Sequence, residues 1–111
     1  MTNNNFTKND ITAIISHEFE IFPVDGHKSF YGKCRVIETE QVLYLRSYDI
    51  LVCCWDKKRK VFNKLWDGYS LTTMRHINSF MRYLGLPLGG KKLWDSMECD
   101  TNYTLSDLLK I

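Results

Sequence analysis

Five polar side chains gather at the start of the most clearly amphipathic segment of the chain, and they are the best candidate for a small binding site. The set is Ser70, Thr72, Thr73, Arg75 and His76. A helix N-terminus offers free backbone N–H groups and the positive end of a dipole, so hydroxyls and an arginine there can hold a phosphate or carboxylate. In the alternative, Ser70 or Thr72 caps the helix and Arg75 pairs with a surface acid.

A second candidate surface is cationic and is predicted to bind a macromolecule. Its members are Lys57, Lys58, Arg59 and Lys60 in a turn, with Arg75 and Arg82 seven residues apart on one helix face. Adjacent cations can meet phosphates or an acidic protein. The aromatic residues Tyr31, Tyr48, Trp55 and Trp66 can add stacking surfaces where they are exposed. The alternative is a solvated turn above a buried aromatic core.

Catalytic and metal-binding patterns are weak. The histidines His17, His27 and His76 have no spacing that places two on one helix face, and the four cysteines contain no C-x-x-C pair. Gly89-Gly90 before Lys91-Lys92 lacks the rest of a phosphate-binding loop. We therefore expect a binding protein, not an enzyme, with no metal, no cofactor and no small-molecule substrate. The runner-up is a small nucleic-acid-binding or RNA-processing protein that uses one of the histidines.

Composition predicts one domain spanning residues 1–111, with residues 1–8 as a flexible tail. The chain is 44% hydrophobic and 25% charged, enough apolar side chain for a core. Its net charge of +2 is too small to indicate nucleic acid by itself. The N-terminus lacks an apolar signal core, and no apolar run approaches the ~20 residues of a membrane span. We expect a cytoplasmic protein with reduced, mostly buried thiols and no membrane partner.

The element that must position these residues is a helix over Ser70–Leu84. Its apolar stripe consists of Leu71, Met74, Ile77, Phe80, Met81 and Leu84. This spacing puts them on one face at 3.6 residues per turn and leaves Arg75, Asn78, Ser79 and Arg82 on the other. Gly85 suits the left-handed residue that ends a helix, and Pro87 prevents continuation.

The residues before this helix predict a sheet for its stripe to cover. Candidate strands are Ser29–Glu38, Val42–Arg46, Tyr48–Trp55 and Val61–Trp66. Short connections imply an antiparallel arrangement. A helix or a strand is possible around Ile11, Ile14, Ile15 and Phe19. Lys91–Cys99 suits a short helix, as does the tail with Leu105, Leu108 and Leu109. The predicted fold class is α+β: an antiparallel meander of three to four strands packed against one main helix, with short terminal helices.

The sequence also resembles a family of small uncharacterised proteins encoded by phages, plasmids and conjugative elements of low-GC Gram-positive bacteria. The resemblance covers residues 28 to about 95 and rests on Lys28–Lys33, Leu45–Tyr48, Val52, Trp66–Ser70, Thr72–Asn78, Phe80 and Lys91–Asp95. The run Ser-x-Thr-Thr-x-Arg-His-Ile is its most specific part. The chain departs from the usual pattern at Cys53-Cys54 and at Leu71.

This resemblance implies a setting, an accessory protein of a mobile element in a bacterial host. Some small proteins of that setting are anti-CRISPR inhibitors. The expected partner is then a host protein or ribonucleoprotein, with a Cas9-type RNA-guided nuclease or its guide RNA as the first candidate. The alternative in the same setting is a structural adaptor of the mobile element.

Overall fold

The structure is a computed structural model that describes residues 15–25 and 29–99. Within them, five strands form one antiparallel sheet, and two helices follow. The elements are β1 Ile15–Glu20, β2 Cys34–Thr39, β3 Val42–Ser47, β4 Ile50–Asp56, β5 Val61–Lys64, α1 Leu71–Leu84 and α2 Gly90–Ser96. Each strand pairs with the next in the order β1-β2-β3-β4-β5. The predicted α+β class and antiparallel meander are confirmed, with five strands in place of three or four.

The additional strand is β1, where the sequence left a helix and a strand open. Its backbone follows the strand alternative, with Phe19 opposite Val36 in the antiparallel register of β1 and β2. Ile15 and Phe19 are therefore not helical, because the neighbouring β2 offers this segment a ladder of backbone partners. The expectations for residues 1–14 and for Leu105, Leu108 and Leu109 lie outside the described residues.

Three predicted strands are shorter than expected: Val61–Trp66 ends at Lys64, and two others begin late because a turn precedes each of them. Phe30 to Lys33 is a turn closed by a hydrogen bond from the Lys33 N–H to the Phe30 carbonyl (3.0 Å), so β2 starts only at Cys34. Tyr48 and Asp49 are the two-residue connection between β3 and β4, so β4 starts at Ile50. Tyr31 and Tyr48 adopt the left-handed conformation, which occurs in tight turns and not in strands.

Helix α1 has the predicted ends. The Ser70 hydroxyl accepts a hydrogen bond from the Thr73 N–H (3.0 Å), and Gly85 has a positive φ of 78°. Ile77 and Phe80 are buried as predicted, and the Phe80 ring centroid lies 6.3 Å from that of Phe62 on β5.

Two assignments within this helix are wrong. Leu71, predicted to lie in the apolar stripe, is 73% exposed, whereas the Thr73 and Met74 side chains of the same turn are buried. Ser79 was placed on the polar face but is buried, because the segment after β1 packs against that side of the helix.

The two faces of the sheet carry separate apolar clusters. Leu45 and Cys53 lie in the cluster that α1 covers, whereas Tyr44 and Cys54 lie in the cluster on the other face. The adjacent cysteines therefore face opposite sides of β4, as strand alternation predicts. Burial raises the pKa of the Cys34 thiol to about 12, which keeps it protonated at neutral pH.

A buried lysine fixes the second helix to the sheet. Lys64 is 3% exposed, and its Nζ donates to the carbonyl oxygens of Trp94 (2.9 Å) and Met97 (3.4 Å) at the end of α2. The Asp67 carboxylate lies 3.2 Å from the same Nζ. These contacts satisfy carbonyls that a helix C-terminus leaves free. Helix α2 is shorter than the predicted Lys91–Cys99.

Candidate functional site

The side chains of the predicted anion site at the start of α1 have separate partners in the fold and do not converge on one point. The Ser70 hydroxyl is used as the helix cap, and the buried Thr73 hydroxyl lies 3.0 Å from that of Ser47 on β3. Arg75 pairs with Asp25, with its Nε 2.5 Å from a carboxylate oxygen. This pairing matches the alternative that the sequence left open for Ser70 and Arg75. Thr72 and His76 line a surface pocket beside these residues.

His76 is part of an interior hydrogen-bond network that joins α1 to β3. Its Nδ1 lies 2.7 Å from the Ser47 hydroxyl, and its ring lies between Phe30 and Tyr48, with centroid distances of 4.4 and 5.5 Å. Desolvation by burial, followed by the positive charge of Arg75, lowers the pKa of His76 to about 4. The imidazole is therefore neutral at pH 7.

Serine and histidine at this distance can perform nucleophilic catalysis when a third group orients the histidine and the hydroxyl reaches a substrate. Here the Ser47 hydroxyl lies 3.0 Å from the hydroxyl of Thr73 as well as 2.7 Å from the His76 Nδ1. Ser47 is also fully buried. These hydrogen bonds join α1 to β3.

The pocket outside His76 is flanked by two tyrosines with strained backbones. Tyr31 and Tyr48 have positive φ angles of 54° and 56°, and both are exposed. Their turns are joined by a hydrogen bond from the Tyr48 N–H to the Lys33 carbonyl (2.8 Å). We call this pocket of about 280 Å³ the tyrosine pocket; its lining is Ser29, Phe30, Tyr31, Lys33, Tyr48, Thr72, Arg75 and His76. Strain of this kind at a surface pocket is characteristic of binding sites.

The strain gives a testable stability prediction. Tyr31→Asn is expected to stabilise the protein by about 1 kcal/mol, because asparagine tolerates the left-handed region that costs a tyrosine about 1–2 kcal/mol. Tyr31 is 82% exposed, so little packing is lost. Urea denaturation measures the change. The control is Tyr83→Asn, the same replacement at an exposed right-handed helical position, which should not stabilise. Equal effects at both positions would contradict the assignment of strain to Tyr31.

A second depression lies further along the same side of α1, between the helix and the chain that leaves β1. We call it the β1 groove; its lining is Phe19, Glu20, Ile21, Phe22, Val24, Ser79, Arg82 and Tyr83, around a volume of about 320 Å³. The exposed side chains of Phe22, Val24 and Tyr83 give it an apolar rim. Asp25 follows Val24 of this groove and pairs with Arg75 of the tyrosine pocket, so the ion pair links the two depressions.

The two depressions together form one continuous surface, which we call the α1 flank. Thr72, Arg75, Ser79, Arg82 and Tyr83 recur at helical spacing and so lie on one side of α1 over about 16 Å. The exposed aromatic residues of the flank, with arginine beside them, match the composition of protein interfaces.

The four cations Lys57, Lys58, Arg59 and Lys60 form a turn, which we call the basic turn and which lies at the other end of the sheet from Arg75. Arg75 lies near the start of β2, against Phe30, whereas the turn follows β4 beside the end of β2. A six-residue strand separates these ends by about 17–20 Å. Lys57 donates to Glu38 (2.8 Å), and Arg59 lies 4.0 Å from Asp56. Lys58 and Lys60 are exposed. The fold therefore brings Arg75 and Arg82 together on one flank and leaves the basic turn as a separate surface.

The sequence identified only some of the flank residues. Tyr31 and Tyr48 were named as stacking candidates and are exposed, whereas Trp55 and Trp66 are half-buried against the core. The groove residues Phe22 and Val24 were missed. The sequence signal for them was an apolar pair around Pro23, too close to a turn to lie in a strand.

Together, the fold and the flank define a small α+β protein with exposed aromatic side chains along one side of α1. The chain belongs to DUF8033, a family of unknown function, whose model matches residues 18–96. No curated protein and no solved structure matches the chain. In the described ranges 15–25 and 29–99, no helix is long and apolar enough to cross a bilayer, and no three His, Cys, Asp or Glu side chains are grouped to hold a metal ion.

Proposed function

We propose that this protein acts by binding a macromolecule of the bacterial host through the α1 flank, in the host cytoplasm and without catalysis of its own. The proposal rests on four exposed aromatic side chains of the α1 flank, which lie beside the helix together with Arg82. They are Phe22, Tyr31, Tyr48 and Tyr83. Aromatic side chains offer a large contact area at a low cost in conformational entropy. An isolated exposed aromatic residue would need no such explanation, but several on one surface do.

A protein surface fits the flank better than nucleic acid does. Arg75 is neutralised by Asp25, so Arg82 and Lys33 are the cations of the flank without an acidic partner in the described residues. Two such charges cannot neutralise a run of phosphates. The network of Ser47 and His76 supports a non-catalytic role, because its groups hydrogen-bond to one another in the interior.

The mobile-element setting implied by the resemblance supplies the candidate partner, a Cas9-type RNA-guided nuclease. Such nucleases hold guide and target in cationic channels. A mimic of nucleic acid would be strongly acidic, whereas this chain carries a net charge of +2. We therefore propose inhibition by contact with a protein surface of the nuclease, not by occupation of its nucleic-acid channel.

A plasmid-interference assay tests the proposal, with the abundance of each variant measured in parallel. The wild-type chain is expected to protect a targeted plasmid and to retain the nuclease in a pull-down. Arg82→Glu should weaken both, because it reverses a charge within the flank. Lys92→Glu makes the same change on α2, away from the flank, and should retain both.

A further variant separates the flank from the basic turn. Lys58→Glu makes the same charge change in the turn. If it abolishes protection while Arg82→Glu does not, the function moves to the turn, and guide-RNA binding with a steep salt dependence becomes the better explanation. If the wild-type chain neither protects the plasmid nor retains the nuclease, the anti-CRISPR proposal is wrong and the adaptor role replaces it.

A further inference from the structure

Strand β1 is an edge of the sheet in the described part of the chain. The Ile21 N–H donates to the Cys34 carbonyl (3.2 Å), so Ile21 and Phe19 direct their backbone groups toward β2. Because the groups alternate along an antiparallel strand, those of Glu18 and Glu20 point away from the sheet. An edge with outward N–H and C=O groups is a template on which another strand can pair.

The β1 groove lies directly beside this edge. Phe19 and Ile21 of the β1 segment form one wall, and Ser79 and Tyr83 of α1 form the other. A strand added outside β1 would direct alternate side chains toward the groove. This is the arrangement in which main-chain hydrogen bonds give affinity and a pocket for one side chain gives specificity.

Two polar groups of the groove indicate what such a strand should carry. Ser79 is 3% exposed and lines the groove, and its hydroxyl has no hydrogen-bond partner among residues 15–25 and 29–99. A buried hydroxyl of this kind is stabilised by an occupant that supplies the missing partner. Arg82 is exposed at the rim and has no acidic partner within residues 15–25 and 29–99. The other charged group of the lining, Glu20, accepts a hydrogen bond from the Gly32 N–H (2.7 Å).

We propose that an extended peptide segment of the partner protein pairs with the outer edge of β1, inserts one side chain into the β1 groove and places an acidic side chain against Arg82. A tyrosine fits the groove best, since its ring is apolar and its hydroxyl can exchange a hydrogen bond with Ser79. This inference rests on the proposed function, because it names the part of the partner that the α1 flank holds.

Selection from a displayed library of random octapeptides on the full-length chain tests this mode. The selected peptides should share a tyrosine and an acidic residue at a fixed spacing. A synthetic peptide of that sequence, labelled for fluorescence anisotropy, should bind the wild-type chain and the Lys92→Glu variant equally. Arg82→Glu should weaken the binding of this peptide by about tenfold or more. A second peptide, with lysine in place of the acidic residue, should bind the Arg82→Glu variant and so recover the loss.

Two matched comparisons test the groove and the edge separately. Ser79→Ala should weaken the tyrosine peptide but not the same peptide with phenylalanine, since only the former hydrogen-bonds to the hydroxyl. N-methylation of the peptide amides that face β1 should abolish binding, and N-methylation of the intervening amides should be tolerated. Equal binding of the two N-methylated peptides overturns strand pairing. A selection that enriches no peptide, or only peptides indifferent to Arg82→Glu, overturns the whole inference.

The proposed function fails in a different way. Plasmid protection that depends on Arg82 without any selected peptide would leave the function standing and reject the peptide mode. A peptide that binds with the expected dependence on Arg82 and Ser79, in a chain that gives no protection, would establish the site and reject the nuclease as its target.

Discussion

Replacing Phe80 with alanine is expected to lower the free energy of unfolding by about 3–5 kcal/mol, the usual cost of removing a large buried aromatic side chain. Phe80 has no exposed surface and lies at the centre of the cluster between α1 and the sheet, near Phe62 and beside Ile77. Loss of the ring would leave a cavity. The neighbouring strands cannot move in to fill it without breaking the backbone hydrogen bonds that pair them. For a domain of this size, the loss is a large part of total stability.

Urea denaturation at neutral pH measures this effect, and Leu71→Ala provides the matched control. Leu71 lies on the same helix but is 73% exposed, so its truncation should change stability by about 0.5 kcal/mol or less. The sequence placed both residues in one stripe, and the two variants therefore test the observed orientation of α1. Equal losses in the two variants would contradict it.

The helix and its ends were predictable because they depend on local chemistry. A capping serine, an apolar repeat and Gly85 each act within a few residues. Strand identity near the N-terminus was less predictable, because the isoleucines around Ile15 suit a helix stripe and a strand equally. The pairing of β1 with β2, which follows later in the chain, decided it.

The turns at Tyr31 and Tyr48 show why strand ends were misplaced. Tyrosine favours strands and rarely adopts positive φ, so both residues were read as parts of strands. The structure holds them in the left-handed region at a cost. Sequence reasoning based on local preference fails at such positions, because the tertiary structure overrides the preference of the residue.

The candidate site was predictable only in part. The seven-residue spacing of Arg75 and Arg82 predicts that both lie on one side of the helix, because seven residues span about two helical turns. The partner of Arg75 is Asp25, fifty residues away in sequence, and no local pattern indicates that pair. The separation of the basic turn from Arg75 likewise follows from the register of β2, β3 and β4, which spacing alone does not give.

Acidification is expected to destabilise the protein through His76. The pKa of its imidazole is about 4 in the folded chain, mainly because of desolvation, and about 6.5 in an unfolded chain. Between these values the unfolded state binds more protons, so stability falls as the pH is lowered through this window and is fully retained above it. The expected contribution of this group between pH 7 and pH 4 is a loss of about 2–3 kcal/mol.

The His76→Asn variant separates this contribution from that of the carboxylates. Asparagine can keep a hydrogen bond to Ser47 from a position close to that of Nδ1, but it does not titrate. The variant should be less stable than the wild-type chain at pH 7, because ring contacts with Phe30 and Tyr48 are lost. Its stability should then fall less steeply than that of the wild type in urea titrations at pH 7, 5.5 and 4. Parallel pH dependences in the two proteins would show that His76 titrates normally and that its burial has no electrostatic cost.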